Sequence, residues 1–215
     1  MREIKKEANG LMTNDLVFAK VKPNAIIPTK KYEDAGRDIY ACFDDDYMVV
    51  PYHTTKLIPT GIASAMSPKY EIRLRDRGSN GSKGIHVNAG TIDSGFRGEW
   101  FVAWCNTNYK DVILSKLSFE ELIDKYGKRD DDGDLVIPED PNKSIVTNKE
   151  GWFVDNYVFI DMDAKDRPII YPYSKAIAQA EVCEVPVMNQ YELTYEELKA
   201  IPSERGTGAL GSSGK

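Results

Sequence analysis

Arg77-Gly78-Ser79-Asn80-Gly81-Ser82-Lys83 is a loop of small and hydroxyl-bearing residues that begins with an arginine and ends with a lysine. Backbone N–H groups and hydroxyls in such a loop can approach phosphate oxygens, while a guanidinium offers a planar pair of donors. A second run, Gly90-Thr91-Ile92-Asp93-Ser94-Gly95-Phe96-Arg97-Gly98-Glu99, places an aspartate in a glycine-rich turn beside an aromatic ring. Either run alone is typical of an ordinary turn, but together they indicate a nucleotide site.

The residues around these two runs have the pattern of short β-strands. Residues 70–75 alternate, with Ile72 and Leu74 on one face and Arg73 and Arg75 on the other, which is the period of a half-buried strand. Gly and Pro separate several similar segments, so the pattern predicts an all-β sandwich or barrel-like fold. The other predicted strands of this body are residues 16–21, 48–51, 54–62, 100–104 and 176–187. Residues 194–200 are expected to form a single helical turn, capped by Thr194 with Glu197 at the box position.

Composition and charge exclude several classes of function. The chain is 41% hydrophobic and 29% charged, with no apolar run of the roughly 18 residues that a membrane span needs. Cys42, Cys105 and Cys183 stand singly in apolar surroundings without metal-ligand spacing, which predicts buried free thiols in a reducing cytoplasm. His53 and His86 are too few and too far apart to suggest zinc.

Residues 106–172 form an acidic block within a neutral chain. The block has 15 acidic and 9 basic residues out of totals of 34 and 28, so it carries the whole net charge of −6 and leaves 19 of each sign elsewhere. This distribution disfavours general nucleic-acid binding, which needs a basic face. The block is expected to be a small helix-plus-hairpin subdomain, with a helix capped by Ser118 and stopped by Gly127, a covered strand at 152–161 and a turn into residues 169–171.

Five short runs of this sequence resemble, in order, the five motifs of the homotrimeric dUTP pyrophosphatases (dUTPases). The runs are residues 34–41 (Asp-Ala-Gly-Arg-Asp-Ile-Tyr-Ala), 77–79 (Arg-Gly-Ser), 89–99 (the aspartate turn), 177–179 (Ile-Ala-Gln) and 205–214 (the Gly/Ser-rich tail). The resemblance is to a phage-like member with an internal insert. It implies an all-β, dUTPase-like β-clip or jelly-roll-type barrel with a small α+β insert and a flexible C-terminal arm. The corresponding divisions are a β-core at 1–105 plus 173–200, the insert at 106–172, and the arm at 201–215.

The activity implied by this resemblance is hydrolysis of dUTP to dUMP and pyrophosphate, with Mg²⁺, in a cytoplasm (that of the host for a phage-encoded chain). Asp93 would activate the water that attacks the α-phosphate. Asp38 would hold, through water, a Mg²⁺ ion bound mainly by the substrate phosphates. Phe96 would stack on the deoxyribose, and main-chain groups near Phe101 would read uracil. Three subunits would share each site, and neither nucleic acid nor a membrane is an expected partner. The remaining substrate-binding residues implied are Arg77, Gly78, Ser79, Lys83, Asn88, Gly90, Thr91, Ile92, Gln179, Arg205, Leu210, Gly211, Ser212 and Ser213.

The sequence departs from the family pattern at several positions and leaves alternatives open. Arg75 offers a second alignment for the phosphate arginine, although the spacing to Lys83 favours Arg77, and Ala176 stands where an arginine is common. Leu210 replaces a phenylalanine that stacks on uracil, so the tail is expected to hold substrate less well, by about 1–3 kcal/mol.

Two other functions stay open at this point. A dCTP deaminase of the same fold would need a glutamate at the pyrimidine amine, for which Glu99 is the candidate. Alternatively, the chain could be a regulatory protein-binding dUTPase, because some phage members with an insert at this place bind repressor proteins.

Overall fold

The computed structural model describes residues 14–129, 133–161, 167–204 and 206. The chain divides into two compact units, residues 1–185 and 186–215. Within the described residues no helix is long and apolar enough to cross a membrane. The strands and helices of the described residues are β1 (Leu16–Lys20), β2 (Arg37–Ile39), β3 (Tyr47–Val50), β4 (Thr54–Pro59), β5 (Ile62–Met66), β6 (Tyr70–Arg75), α1 (Gly78–Gly81), β7 (Ile85–Val87), β8 (Thr91–Ile92), β9 (Phe101–Asn106), β10 (Val112–Ser115), α2 (Phe119–Tyr126), β11 (Lys128–Arg129), β12 (Leu135–Pro138), β13 (Val146–Thr147), β14 (Phe153–Asp155), β15 (Tyr157–Phe159), β16 (Ile169–Pro172), β17 (Ala178–Glu184) and α3 (Tyr195–Ala200).

The first unit is built from small sheets around a main apolar core, which confirms the all-β prediction. One sheet has the order β2-β17-β6-β8, a second has β4-β9-β7, and β1 pairs with β5. The predicted alternation of β6 is confirmed, because Ile72 and Leu74 are buried while Arg73 and Arg75 are exposed. The strands are distributed over separate short sheets, and a single closed barrel is not formed by the described residues.

A three-stranded sheet, β16-β10-β3, separates the main core from a second core. Along β3, Tyr47 and Val49 face the second core, while Val50 packs into the main one. Strand β10 behaves in the same way, with Ile113 on one side and Leu114 on the other. Because successive side chains point to opposite faces of a strand, a strand covered on both faces has a continuous apolar run.

The predicted insert 106–172 therefore starts and ends next to the body. Its strands β10 and β16 pair with each other, and β10 also pairs with β3 of the body. The segments between them supply most of the second core, through Leu122 of α2, Ile137 of β12 and Val158 of β15. The division into core, insert and arm stays a prediction.

Helix α2 forms as the sequence predicted. Ser118 accepts a hydrogen bond from the Glu121 N–H at 3.2 Å, and the Glu121 carboxylate accepts one from the Ser118 N–H at 2.8 Å, so the cap is reciprocal. The helix ends at Gly127, but for a different reason than expected. Gly127 has φ −61°, not a left-handed value, and a Cβ there would lie 2.5 Å from the Ile123 carbonyl oxygen.

The prediction of one covered strand at 152–161 is wrong. Asn156 has φ 60° and breaks the segment into β14, which pairs with β13, and β15, which pairs with β12. Asparagine tolerates the left-handed region because its short side chain can bond locally. Consequently, Val154 of β14 is exposed while Val158 of β15 is buried.

The second unit contains α3. Its cap is the one predicted, since Thr194 and Glu197 form a reciprocal capping box. The predicted strand at 176–187 belongs to the first unit and is shorter, as β17 (Ala178–Glu184). Arg205, Leu210, Gly211, Ser212 and Ser213 lie outside the described residues, so the predicted arm has no structural account here.

Candidate active site

Three residues from separate predicted motifs meet at one edge of the β2-β17-β6-β8 sheet. Strand β17 lies between β2 and β6, and its register sets Gln179 opposite both Asp38 and Arg75. The Gln179 side-chain amide donates to Asp38 Oδ1 at 3.4 Å, and Arg77 Nε lies 3.2 Å from the same oxygen. Gly36 permits this approach, because a Cβ there would be 3.0 Å from Gln179 Cβ.

The two candidate arginines are held differently. Arg75 is exposed at the end of β6, whereas Arg77 is half-buried, and its Nη1 donates to the Ala176 carbonyl at 3.2 Å. The approach of Arg77 Nε to Asp38 is an ion pair without directed hydrogen-bond geometry. A guanidinium carries five N–H donors, so Arg77 keeps donors for an incoming anion. The structure therefore brings Arg77, and not Arg75, into the Asp38–Gln179 cluster.

The predicted phosphate loop is a short helical turn. Residues 78–81 form α1, and the amides of Asn80 and Gly81 both donate to the Arg77 carbonyl at 2.8 and 2.9 Å. The amides of residues 82–84 are likewise bonded within the turn. Gly78 and Ser79, at the start of the turn, are exposed together with Lys83. Only the start of the loop could thus offer main-chain donors to a phosphate, contrary to the expectation for the whole run.

The backbone before Asp93 adopts conformations that favour glycine. Gly90 has φ 146°, and a Cβ on it would lie 2.9 Å from Leu74 Cβ, while its carbonyl accepts from the Leu74 N–H at 2.8 Å. Ala89 has φ 59°, a left-handed value that is uncommon outside glycine. The hairpin therefore leaves the sheet edge at a position that the third motif specifies.

The turn that follows is closed by its own residues. The Phe96 N–H donates to the Asp93 carbonyl at 3.0 Å, and Arg97 Nη1 donates to the carbonyls of Ser94 and Phe96 at 2.6 and 3.0 Å. The Phe96 ring covers Gly98, where a Cβ would be 2.6 Å from the ring. No role is predicted for Arg97 from the sequence. The spacing of three residues between Ser94 and Arg97 is the signal that could have predicted this contact.

The turn presents its functional groups to solvent. Asp93 is exposed, Phe96 is 43% exposed, and Phe101 of β9 is 45% exposed. The Thr91 side chain is also exposed, whereas the Ile92 side chain is buried in the core and could offer a ligand only its main chain. Large aromatic rings at this exposure beside a carboxylate are suited to be covered by another molecule.

Asn88 precedes the turn and is used to join strands. Its N–H donates to the Ala103 carbonyl at 2.8 Å, and its side-chain amide donates to Thr55 Oγ1 at 3.0 Å. The side chain is exposed, so it remains accessible to a ligand.

The Asp93 turn and the Arg77 cluster lie apart within one chain. Strand β8 pairs antiparallel with β6, with Ile92 opposite Ile72 and Thr91 opposite Arg73. Asp93 therefore lies near the Glu71 end of β6, and Arg77 lies six residues further along, roughly 20 Å of extended chain. Gln179 and Asp38 are on the far side of β6 from β8. Within one chain, the register therefore places the Asp93 turn and the Arg77 cluster towards opposite ends of β6.

Glu99 has a structural partner. Its Oε1 accepts a hydrogen bond from the Gly61 N–H at 2.8 Å. Gly61 has φ 67°, and a Cβ there would be 2.8 Å from Cys42 Sγ, so the carboxylate pins a tight turn of the body. This role explains a glutamate at position 99 without deamination chemistry.

Asp38 is suited to a Mg²⁺ ion that is bound mainly by substrate phosphates. No cluster of three or more histidine, cysteine, aspartate or glutamate side chains that could hold a metal occurs in the parts of the chain described. Mg²⁺ keeps several waters and is often held by one or two carboxylates together with substrate phosphates. A half-buried Asp38 beside the Arg77 cluster suits an ion of that kind, but not a metal bound by protein side chains alone.

Comparison with known proteins finds relatives of this chain in both sequence and fold. The dUTPase family model matches residues 22–118. The deoxyuridine 5'-triphosphate nucleotidohydrolase of Orientia tsutsugamushi is 39% identical over 84 residues, which are 38% of this chain and 56% of that protein. The chain therefore spans little more than half the length of this relative. The enzyme of the same name from Syntrophotalea carbinolica is 38% identical over 118 residues, 54% of this chain and 74% of that protein.

Solved structures show the fold over a larger part of the chain. A variant of the dUTPase of Staphylococcus bacteriophage 80alpha, with dUpNHpp, has a TM-score of 0.57 and 21% identity, covering 94% of this chain and 100% of that one. A variant of the dUTPase from phage phi11 of S. aureus, whose structure reveals the coordination of a structural Mg(II) ion, has a TM-score of 0.50 and 17% identity, covering 84% and 97%. The fold is thus that of the all-β phage dUTPases. The chain belongs to the dUTPase family.

Proposed function

We propose that this chain hydrolyses dUTP to dUMP and pyrophosphate. The observation that carries the proposal is the convergence of Asp38, Arg77 and Gln179, which come from three motifs far apart in sequence. Family membership and the clamped Asp93 turn support the same activity. The residue assignments that follow are part of this proposal.

The chemistry requires an activated water and neutralised phosphates. Asp93 takes a proton from a water whose oxygen attacks the α-phosphorus; the bond from that phosphorus to the bridging oxygen breaks, and pyrophosphate leaves with the electron pair. Phe96 stacks on the deoxyribose, and main-chain groups near Phe101 pair with the uracil edge. The phosphates contact Gly78, Ser79, Lys83 and Gln179 and, above all, the Arg77 guanidinium, which stabilises the charge that develops on the leaving group.

Other groups complete the proposed site. Asn88, Gly90, Thr91 and Ile92 position the nucleoside from the aspartate hairpin. Arg205 and the tail residues Leu210, Gly211, Ser212 and Ser213 would close over the phosphates when substrate is bound. Magnesium bound beside Asp38 would supply further charge neutralisation on the triphosphate.

The same geometry supports a shared site in a homotrimer. Asp93 and Arg77 are roughly 20 Å apart along one chain, so a second copy must supply whichever group the first cannot. Leu57 is 62% exposed, and its strand neighbours include the exposed Phe101. Exposed apolar residues next to the aspartate hairpin are suited to an interface between copies. We propose three subunits, with each site formed by motifs from different chains.

The test is pyrophosphate release in the presence of Mg²⁺ from dUTP, dCTP, dTTP and UTP. We expect release from dUTP alone, because fixed main-chain donors reject a base that leaves them unpaired. Ammonia release from dCTP is measured in parallel. Release of ammonia from dCTP without release of pyrophosphate would contradict this proposal. It would favour a dCTP deaminase, with Glu99 as the candidate glutamate.

The acidic insert favours a second, regulatory function. Its two-stranded sheet β13-β14 and the neighbouring β15 expose apolar side chains, and an isolated pair of strands is marginally stable in water. The phage 80alpha dUTPase is described as controlling transfer of virulence genes. We propose that a protein partner, of the repressor type, covers this surface. The exposed residues concerned are Val146 (46%), Trp152 (50%), Val154 (54%) and Phe159 (48%).

This second proposal predicts a loss of partner binding without a loss of hydrolysis. The double variant Trp152→Ser, Val154→Thr should retain the dUTPase rate but fail to capture a protein that the wild type captures from host extract. Tyr32→Ser is the matched control, because Tyr32 is 99% exposed and lies outside the insert. Equal capture by the double variant and the wild type would remove the support for a partner on this surface.

The cellular compartment is also proposed. Cys42, Cys105 and Cys183 are free thiols, which is usual in a reducing compartment. The prediction that all three are buried is wrong, because Cys105 and Cys183 are partly exposed. We place the protein in the cytoplasm, which is the host cytoplasm for a phage-encoded chain.

A further inference from the structure

Tyr171 is a buried tyrosine outside the predicted motifs. It lies in β16, where the chain returns from the insert, and is 5% exposed. Its ring packs edge-on against Trp104, with the ring centroids 5.0 Å apart. Its hydroxyl reaches across to the segment that precedes Gln179 and to the α1 turn.

The Tyr171 hydroxyl and Arg77 meet at one carbonyl oxygen. The hydroxyl donates to the Ala176 oxygen at 2.6 Å, and Arg77 Nη1 donates to the same oxygen at 3.2 Å. A carbonyl oxygen has two lone pairs and can accept both. The position of the carbonyl that orients the guanidinium is therefore set in part by Tyr171.

A second contact connects Tyr171 to the same helical turn. Its hydroxyl lies 3.0 Å from Asn80 Oδ1, and the Asn80 side-chain amide donates to the Ile177 carbonyl at 3.1 Å. Asn80 is 1% exposed, and its N–H donates to the Arg77 carbonyl. Tyr171 thus contacts the Ala176 carbonyl, which bonds the Arg77 side chain, and Asn80, whose N–H bonds the Arg77 carbonyl.

We propose that Tyr171 is a positioning residue, which orients Arg77 towards the substrate phosphates through the Ala176 carbonyl and Asn80. Its effect on catalysis rests on the proposed dUTP hydrolysis, whereas its effect on Arg77 does not. Burial raises the pKa of Tyr171, which keeps the hydroxyl protonated as a donor, while Asn80 and Arg77 lower that pKa in part.

Removal of the hydroxyl should loosen Arg77. The hydroxyl has a single hydrogen, which the Ala176 oxygen at 2.6 Å and Asn80 Oδ1 at 3.0 Å share, so its removal leaves these two buried acceptors with one donor fewer. The Ala176 carbonyl keeps Arg77 but loses the tyrosine. Tyr171→Phe should therefore raise the Kd for dUTP by roughly three- to tenfold, the range of one lost hydrogen bond.

The experiment measures dUTP and deoxyuridine binding in an Asp93→Asn background, which prevents turnover. Tyr47→Phe is the matched control, because Tyr47 is 1% exposed and its hydroxyl also donates to a backbone carbonyl at 2.6 Å, that of Pro138 in the second core. Tyr171→Phe should weaken dUTP binding but not deoxyuridine binding, since only dUTP has phosphates for Arg77. Tyr47→Phe should change neither. An equal loss in both variants, or a loss of deoxyuridine affinity with Tyr171→Phe, would show a structural effect only and overturn the proposal.

A second measurement keeps this inference separate from the proposed activity. The unfolding equilibrium constants of Tyr171→Phe, Arg77→Ala and the double variant form a cycle that needs no substrate. We expect the double variant to lose several-fold less than the product of the single losses, while the cycle of Tyr47→Phe with Arg77→Ala is multiplicative. A multiplicative Tyr171 cycle overturns the positioning role, whatever the substrate panel shows. A wild type that leaves dUTP intact overturns only the proposed function.

Discussion

Replacement of Asp93 by asparagine should lower kcat for dUTP hydrolysis by roughly 10²- to 10⁴-fold, which is the usual contribution of a positioned general base. Asparagine has nearly the same shape as aspartate but cannot accept the proton of the attacking water. The turn should survive, because it is closed by the Phe96 N–H and by the Arg97 guanidinium, and neither bonds the Asp93 side chain. The measurement is single-turnover pyrophosphate release at saturating dUTP, with Kd measured separately.

Glu99→Gln is the control for this variant. Glutamine can still accept the hydrogen bond that the Gly61 N–H donates to position 99 at 2.8 Å, so we expect a kcat within about threefold of the wild type. The two variants thus distinguish the Glu99 carboxylate, which bonds the backbone, from the Asp93 carboxylate, which is the proposed base. If Asp93→Asn kept more than about a tenth of the wild-type kcat, Asp93 would not be the base. A large loss with Glu99→Gln instead would assign the base to position 99.

Local patterns of the sequence predicted the elements whose cause is local. The two capping boxes, at Ser118 and Thr194, follow from residues three positions apart. The alternation of Ile72 and Leu74 with charged residues likewise specifies which face of β6 is buried. These signals depend on near neighbours alone, so no knowledge of the tertiary structure is required to interpret them.

The parts that the sequence predicted wrongly, left open or missed depend on distant residues. The one-strand prediction for 152–161 failed at Asn156, because its two halves pair with different partners, β13 and β12. The choice between Arg75 and Arg77 needed the positions of Asp38 and Ala176, which lie far along the chain. Tyr171 has no motif of its own, and its bond to Asn80 spans 91 residues. Contacts between residues so far apart along the chain produce no periodic pattern in a single sequence.

The positions of Asp93 and Arg77 likewise depend on strand pairing. The resemblance to the dUTPases implies that motifs from different chains form each site, although these two residues are close in sequence. The antiparallel register of β6 and β8 instead places them at opposite ends of a strand. The register therefore supports the proposal of shared sites, since an isologous or cyclic contact between copies can join what one copy keeps apart.

This separation predicts that two inactive variants restore each other. Asp93→Asn lacks the proposed base, and Arg77→Ala lacks the proposed phosphate donor, so each alone should be nearly inactive. In mixed trimers, a site formed by the intact Asp93 of one chain and the intact Arg77 of its neighbour is complete. In a cyclic trimer that contains both variants, one of the three sites combines an intact Asp93 with an intact Arg77 of the neighbouring chain, so roughly a third of the wild-type activity should return.

The variants should be co-expressed with different tags, and trimers that carry both tags should be isolated before the dUTPase assay. Mixed trimers of Asp93→Asn with the double variant Asp93→Asn, Arg77→Ala are the control, because no site in them has the base. A site built from one chain would behave differently: every copy would lack one group, and the mixed trimers would be as inactive as either parent. Recovered activity in the first mixture and none in the second would therefore establish that Asp93 and Arg77 act on the same substrate from different subunits, and it would also account for the exposure of Phe96 and Phe101 in a single chain.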